Sequence, residues 1–235
     1  MGKMPVIEIG LVLYPGAQQA AVLGLTDLFR VANRMALSRL QQSEPPLRVT
    51  HWQQATSDAT AVRIFDSGSN APSVLSALIL PPTLNEPVGA DEISSLTAWL
   101  RERHTDGVAL GSVCAGAFPL AATGLMAGRK MTTHWTHAEL LQQRYPDVHV
   151  DADHLIIDDG DVMTAGGLMA WTDLGLKLVD RLLGPTIMIE TARMLLVDPP
   201  GREQRYQGFD TVPDERSQRP AISDRPVRAL VNEAR

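Results

Sequence analysis

The sequence lacks four features, each of which is typical of a class of proteins. It holds a single cysteine, Cys114, so no disulfide can form within the chain, and a reducing compartment is expected. No window of about 18 residues is apolar throughout, which predicts no membrane span. Lys and Arg number 21 against 27 Asp and Glu, so an extended nucleic-acid footprint is not expected either. Glu8 interrupts the N-terminal apolar run, which argues against a signal peptide. We therefore expect a cytoplasmic protein without membrane partners.

Apolar patterns typical of short strands alternate with amphipathic helices along most of the chain. The predicted strands are Val6–Tyr14, Leu47–Ala55, Ala77–Pro82 and Gly107–Val113, and a hairpin is predicted over His154–Gly167 with its turn at Asp159-Gly160. The predicted helices are Ala21–Met35, Asp91–His104, a helix from Cys114 to about Met126, one opened by a Thr136/Glu139 capping box, Leu168–Gly184 and Pro185–Val197. This alternation predicts an α/β fold, a three-layer sandwich with a mainly parallel sheet, helices on both faces and a small β-hairpin.

The character of the sequence changes near residue 198. Prolines and charges dominate the stretch that begins at Asp198, and no internal repeat is seen before it. We predict one domain over residues 1–198 and a linker or tail over residues 199–235.

Cys114 lies in the stretch GSVCAGAF, directly after a predicted buried strand and before a predicted helix. In parallel sheets, ligands bind beyond the carboxyl ends of the strands. A helix N-terminus also lowers the pKa of a cysteine and offers N–H groups that could hold an oxyanion. Free cysteine is equally typical of a buried core. The pattern thus leaves two readings open, a nucleophile on a tight turn and a buried thiol.

His134 and His137 form a His-x-x-His pair that could bind a metal if both faced the same way. The sequence around them supplies no acidic residue or second cysteine in a ligand pattern, so we predict no metal site and no cofactor. His134 follows a predicted extended segment and is the better candidate for a base or hydrogen-bond donor at the Cys114 site.

The stretch SVCAGAFPLAATGLMAGRKMTTHW, residues 112–135, resembles the cysteine turn of the ThiJ/PfpI superfamily, a branch of the class I glutamine amidotransferase-like fold. The N-terminal segment GLVLYPGAQQAAVLGLTDLFRVAN and the later DDGDVMTAGGLMAWTDLGLKLVDRLLG are similar to other parts of that fold, so the resemblance covers roughly residues 5–198. Two branches fit best: isocyanide hydratase with its relatives, and the amino-terminal sensor domain of AraC-type transcriptional regulators. Residues 195–209 resemble the segment that joins such a sensor to its helix-turn-helix domain, which is expected to be absent from this chain.

Two departures from the family's enzymes bear on activity. The resemblance places Ala21 where the enzymes carry an acidic residue that handles the cysteine's proton, and Pro81-Pro82 where they carry a Gly-rich oxyanion turn. An alanine transfers no proton, and proline has no N–H to donate. The resemblance therefore implies a small-molecule-sensing, non-catalytic domain, with Cys114 and His134 at the catalytic positions.

The implied partners are a small-molecule ligand, a second copy in a homodimer, and DNA only through a separate domain. The implied ligand-binding residues are Gly16, Ala21, Pro82, Thr83, Cys114, Ala115, Thr133 and His134. The alternatives are a cysteine-dependent hydratase or hydrolase, and a redox or electrophile sensor, which would require a depressed thiol pKa.

Overall fold

A seven-stranded sheet organises the part of the chain that this computed structural model describes, namely residues 6–41, 43–54, 60–68 and 72–199. Its strands are β1 (Val6–Leu13), β2 (Leu47–Gln53), β3 (Val62–Asp66), β4 (Ser73–Leu80), β5 (Ala109–Val113), β8 (Ile156–Asp158) and β9 (Val162–Ala165), and β6 (Lys130–Met131) and β7 (His149–Val150) form a separate parallel pair. The order in the large sheet is β3-β2-β1-β4-β5-β9-β8, with only the two edge strands antiparallel to their neighbours. The prediction of a mainly parallel α/β sheet is confirmed.

Six α-helices accompany the sheet in the described residues. They are α1 (Gln19–Leu40), α2 (Ser94–Thr105), α3 (Ala117–Ala122), α4 (Ala138–Arg144), α5 (Trp171–Leu183) and α6 (Pro185–Leu195), with short 3-10 turns at Asp91–Ile93, Cys114–Gly116 and Trp135–His137. No helix in this part of the chain is both long enough and apolar enough to cross a bilayer.

The helices lie on both faces of the sheet. His51 and Trp52 are consecutive residues of β2, so their side chains point to opposite faces. His51 contacts Thr26 of α1, with 2.8 Å between its Nε2 and the threonine hydroxyl, whereas Trp52 packs against Trp99 of α2. Helices α5 and α6 pack with α1 on the first face. The sheet is therefore the middle of three layers, as predicted.

The predicted hairpin is present as β8 and β9. Its strands pair from Ile156 with Ala165 to Asp158 with Met163. The Asp159 N–H donates to the Val162 carbonyl, and Gly160 has a φ of +83°. Glycine adopts that conformation without strain, as the sequence suggested.

Two local predictions were wrong, and one strand was not predicted. The edge strand β3 was missed, because three of its five residues are exposed and show no buried alternation. The helix after Cys114 ends at Ala122 rather than near Met126, at a turn where Gly124 has a φ of +77°. The Thr136/Glu139 capping box does not form, because His134 caps that turn instead. The predicted linker, apart from Pro199, lies outside the described residues.

Candidate functional site

Cys114 stands at a sharp turn between β5 and α3. Its φ is +54°, in the left-handed region that residues other than glycine rarely adopt. Gly116 allows the turn to pack closely, because a Cβ there would lie 2.4 Å from the Leu80 carbonyl oxygen and 2.8 Å from that of Pro81. The strand–cysteine–helix turn expected from the sequence is thus present, pressed against the carboxyl end of β4.

Burial dominates the electrostatics of the Cys114 thiol. The residue is 3% exposed, and this burial raises the pKa of the thiol to about 11. Backbone hydrogen bonds from Ala115 and His134 oppose the rise in pKa, and no charged side chain of the described residues contributes to it. Helix α3 has six residues, so its dipole does little to offset desolvation. The thiol is protonated at neutral pH, which is the opposite of the depressed pKa that a redox or electrophile sensor requires.

Tyr14 ties the end of β1 to the turn after β4. Its buried hydroxyl donates a 2.5 Å hydrogen bond to the Pro81 carbonyl. Burial raises the pKa of the Tyr14 phenol, and the nearby Cys114 raises it further. The phenol and the thiol are therefore neighbours, and ionisation of both groups at once is disfavoured because their negative charges would repel each other. At the position where the family's enzymes have an oxyanion turn, this chain has a carbonyl oxygen held by a phenol.

Three of the predicted ligand-binding residues meet beside this turn. Gly16 has a φ of +80°, and a Cβ there would lie 2.7 Å from the hydroxyl oxygen of Thr83. The Gln18 N–H donates 2.7 Å to the Pro82 carbonyl, and Ala17 forms a β-bridge with Thr83. The loop before α1 and the loop after β4 are consequently held together, and Gly16, Pro82 and Thr83 lie close to one another.

Ala21 lies in the first turn of α1 and is completely buried. That turn contains no acidic residue. The position at which the resemblance expects a proton-handling carboxylate is thus filled by a methyl group. No other carboxylate among the described residues contributes to the pKa of Cys114.

His134 approaches Cys114 through its main chain. Its backbone N–H hydrogen-bonds to the Cys114 thiol. Its imidazole Nδ1, in contrast, lies 2.7 Å from the Thr136 hydroxyl and accepts a hydrogen bond from the Thr136 N–H. Burial lowers the pKa of the imidazole, and the nearby His137 lowers it further. The ring is therefore neutral at pH 7, and its Nδ1 serves as the cap of the Trp135–His137 turn.

Thr133 and Ala115 lie in the interior beneath the turn. The Thr133 hydroxyl donates 2.8 Å to the Cys114 carbonyl, which secures the strained residue from the side of β6. Ala115 is completely buried, and its N–H hydrogen-bonds to the thiol. Both predicted residues are near Cys114, but they support it rather than line an open space.

Sequence reasoning missed Tyr14 and Gln18. The Gln18 side-chain oxygen is buried with no hydrogen-bond partner among the described residues, and the residue as a whole is 8% exposed. Such an acceptor suits a ligand or water that donates to it. Their position in the sequence could have pointed to the site, because both residues flank the Pro15-Gly16 turn at the carboxyl end of β1.

His134 and His137 come together, with 6.0 Å between their ring centroids. His137 packs edge-on against Phe118, and burial lowers the pKa of its imidazole. Among the described residues, no three His, Cys, Asp or Glu side chains are grouped so that they could hold a metal ion.

The chain has a mainly parallel sheet with helices on both faces, and its cysteine lies in a left-handed turn after a central strand. These features define a three-layer α/β sandwich with its candidate site at the cysteine turn. Residues 70–181 match the model of the DJ-1/PfpI family. This match confirms the resemblance to that family seen in the sequence.

Its relatives include both regulators and an enzyme. The HTH-type transcriptional regulator CdhR of Pseudomonas aeruginosa is 26% identical over 208 residues, which are 85% of this chain and 59% of the regulator. The isonitrile hydratase of Pseudomonas putida is 25% identical over 195 residues, 80% of this chain and 76% of the hydratase. The chain therefore spans less than two thirds of the length of CdhR.

Solved structures share the fold. The crystal structure of an AraC family transcriptional regulator from Pseudomonas putida superposes with a TM-score of 0.61 and 19% identity, covering 81% of this chain and 100% of that one. At this level of identity the match supports the fold alone.

Proposed function

We propose that this chain is the small-molecule-sensing, non-catalytic part of an AraC-type transcriptional regulator. The observation that carries the proposal is the state of Cys114, a buried thiol with a pKa of about 11 on which no carboxylate of the described part of the chain acts. A nucleophilic cysteine needs its thiolate, and this environment favours the thiol. The similarity to CdhR along 85% of the chain supports the regulatory role.

The sensing site we propose lies at the carboxyl ends of β1, β4 and β5. The Gln18 side-chain oxygen supplies a buried acceptor there. The polar atoms of Thr83 and His134 and the surfaces of Gly16 and Pro82 complete the site. Within the described ranges no charged side chain acts on Cys114, so we expect a ligand that is held by hydrogen bonds and shape.

The proposal includes a cytoplasmic homodimer that transmits ligand binding to a separate DNA-binding domain. In this arrangement, residues 1–198 form the sensing domain and residues 199–235 form the linker. Analytical ultracentrifugation of the chain tests the dimer, and a single monomeric species at micromolar concentration would remove that part of the proposal.

The test of sensing against turnover uses the purified 235-residue chain. A panel of uncharged amides, alcohols and sugars is screened by thermal shift, and each compound that raises the unfolding temperature is recovered and examined by mass spectrometry. We expect at least one compound to stabilise the chain and to be recovered unchanged. Consumption of that compound by the chain, but not by Cys114→Ala, would overturn the non-catalytic reading.

The second candidate function is a cysteine-dependent hydratase. It is favoured by the similarity to isonitrile hydratase and by the turn that presents backbone N–H groups at the Cys114 sulfur. Cyclohexyl isonitrile is the direct probe. Formation of the corresponding formamide that requires Cys114 would establish this function, whereas equal, background conversion by the chain and by Cys114→Ala would exclude it for this substrate.

A further inference from the structure

A cavity of about 450 Å³ opens at the other end of the sheet from Cys114. It lies between the second half of α1 and the N-terminal ends of β1 and β2, with the residues that follow β3 closing one side. Its volume is within the range of small-molecule sites. Because parallel strands place their two kinds of end at opposite edges of a sheet, this cavity is separate from the proposed sensing site.

The inner wall of the cavity is apolar and held in place. Leu37 of α1, Pro45 and Val49 of β2 contribute hydrocarbon surface. The Asn33 amide clamps α1 to β2, donating 2.8 Å to the Leu47 carbonyl and accepting the Leu47 N–H at 2.9 Å. The wall is therefore built before any ligand arrives, which reduces the entropic cost of binding.

The rim of the cavity is cationic. Arg30 and Arg34 are four residues apart on α1, so their guanidinium groups share one face of the helix. Among the described residues, Arg30 has only a long 3.9 Å contact with Asp27, in which both side chains are 73% exposed. Arg34 makes no ion pair with any described residue. Like charges at this spacing repel each other, and an anion bound between them would relieve the repulsion.

The other charged residues at the cavity are already engaged. Arg48 donates to both carboxylate oxygens of Asp66 and to the Ser73 hydroxyl. Because its guanidinium is engaged in these bonds, we assign Arg48 to the cavity wall and not to the groups that bind the ligand. Glu44 also lines the cavity and has an interaction of its own. The Ser67 hydroxyl oxygen accepts the Val49 N–H.

We propose that this cavity binds a small amphiphilic anion, in which a carboxylate or a phosphate lies between Arg30 and Arg34 and a short aliphatic chain lies against Leu37 and Val49. The charge of the rim selects an anion, and the apolar wall selects the tail. The inference goes beyond the proposed function, because it concerns a second site with different chemistry.

The test is isothermal titration of the 235-residue chain with sodium octanoate, octyl phosphate and octylammonium chloride. Octanoate and octyl phosphate distinguish a carboxylate from a phosphate ligand, and we expect at least one of them to bind while octylammonium does not. Arg34→Gln should weaken binding of the anion by about fivefold, the upper end for an exposed ion pair. Arg101→Gln is the matched control, since Arg101 is another exposed helical arginine and forms no ion pair with a residue that the structure describes, and it should leave the affinity unchanged.

Two further variants make the result decisive. Leu37→Trp fills the cavity and should abolish binding while the circular dichroism spectrum stays native. Cys114→Ala should bind octanoate as the unaltered chain does, so this site is tested whether or not the proposed sensing function holds. Equal affinities for the unaltered chain and Arg34→Gln, binding of octylammonium as tight as that of octanoate, or loss of binding in Cys114→Ala would each overturn the proposal.

Discussion

The thiol of Cys114 should be nearly inert towards alkylation at neutral pH. Iodoacetamide reacts with thiolates, and the chain has one cysteine, so the mass of the modified chain reports a single site. The pKa of the buried thiol is about 11. Relative to a free thiol, whose pKa is about 8.5, the thiolate population at pH 7 is then lower by roughly 100- to 1,000-fold. Limited access to a residue that is 3% exposed slows the reaction further.

The same pKa shift makes stability depend on alkaline pH. Between pH ~8.5 and the folded pKa of about 11, the unfolded chain releases the thiol proton while the folded chain keeps it. The unfolded state thus binds fewer protons in this window, and the free energy of unfolding falls as the pH rises through it. The slope contributed by Cys114 is at most about 1.4 kcal/mol per pH unit. Cys114→Ala should remove this contribution to the free energy of unfolding and leave unchanged the contributions of the other groups that titrate at alkaline pH.

The prediction that the thiol is nearly inert is tested by measuring the rate of alkylation with iodoacetamide. The rate of the folded chain from pH 6 to 10 is compared with that of the chain unfolded in urea. We expect the folded rate to be at least a hundredfold lower at pH 7 and still to be rising at the top of the range. A folded chain that is alkylated as fast as the unfolded one, or with an apparent pKa below 8.5, would refute the argument that burial controls this thiol. It would also favour the hydratase reading.

Three further predictions concern the support of the site and the stability of the fold. Gly116→Ala should lower the free energy of unfolding by about 1–3 kcal/mol in urea titrations, because its Cβ would overlap backbone oxygens. Gly111→Ala is the matched control, since its Cβ would meet neighbours at 3.5 Å or more; a loss as large as that of Gly116→Ala would contradict the packing argument. Thr133→Val should cost about 1–3 kcal/mol by the same measurement, because the buried Cys114 carbonyl loses its donor; an unchanged urea midpoint would show that this hydrogen bond is not needed. The Asp161 carboxylate has a pKa lowered to about 2, first by Arg129 and then by His104, so its stabilisation is present above pH ~4 and disappears as the pH falls towards 2. Asp161→Asn should therefore lower the melting temperature at pH 7 and leave it nearly unchanged at pH 2, and equal losses at both pH values would show that the ion pairs are not responsible.

The local parts of the fold were predictable because their signals are local. A buried strand followed by small residues and a helical pattern indicated the turn at Cys114, and Asp159-Gly160 indicated the hairpin. Strand β3 gave no such signal, because an edge strand with exposed Val62 and Ile64 has no buried face to impose a pattern on its sequence. The hydrogen bond between Tyr14 and Pro81 joins residues 67 positions apart, a distance over which periodicity carries no information.

The sequence by itself determined the fold class, the position of Cys114 after a strand, and the alanine at position 21, because each depends on which residues occupy which places along the chain. The tertiary structure alone decided that the thiol is buried and protonated. Desolvation of one sulfur depends on the groups that surround it in the folded chain, and these come from distant parts of the sequence; Tyr14, which lies near Cys114, is 100 residues away from it. No residue type announces that outcome, since the same cysteine at an exposed turn would keep a pKa of about 8.5.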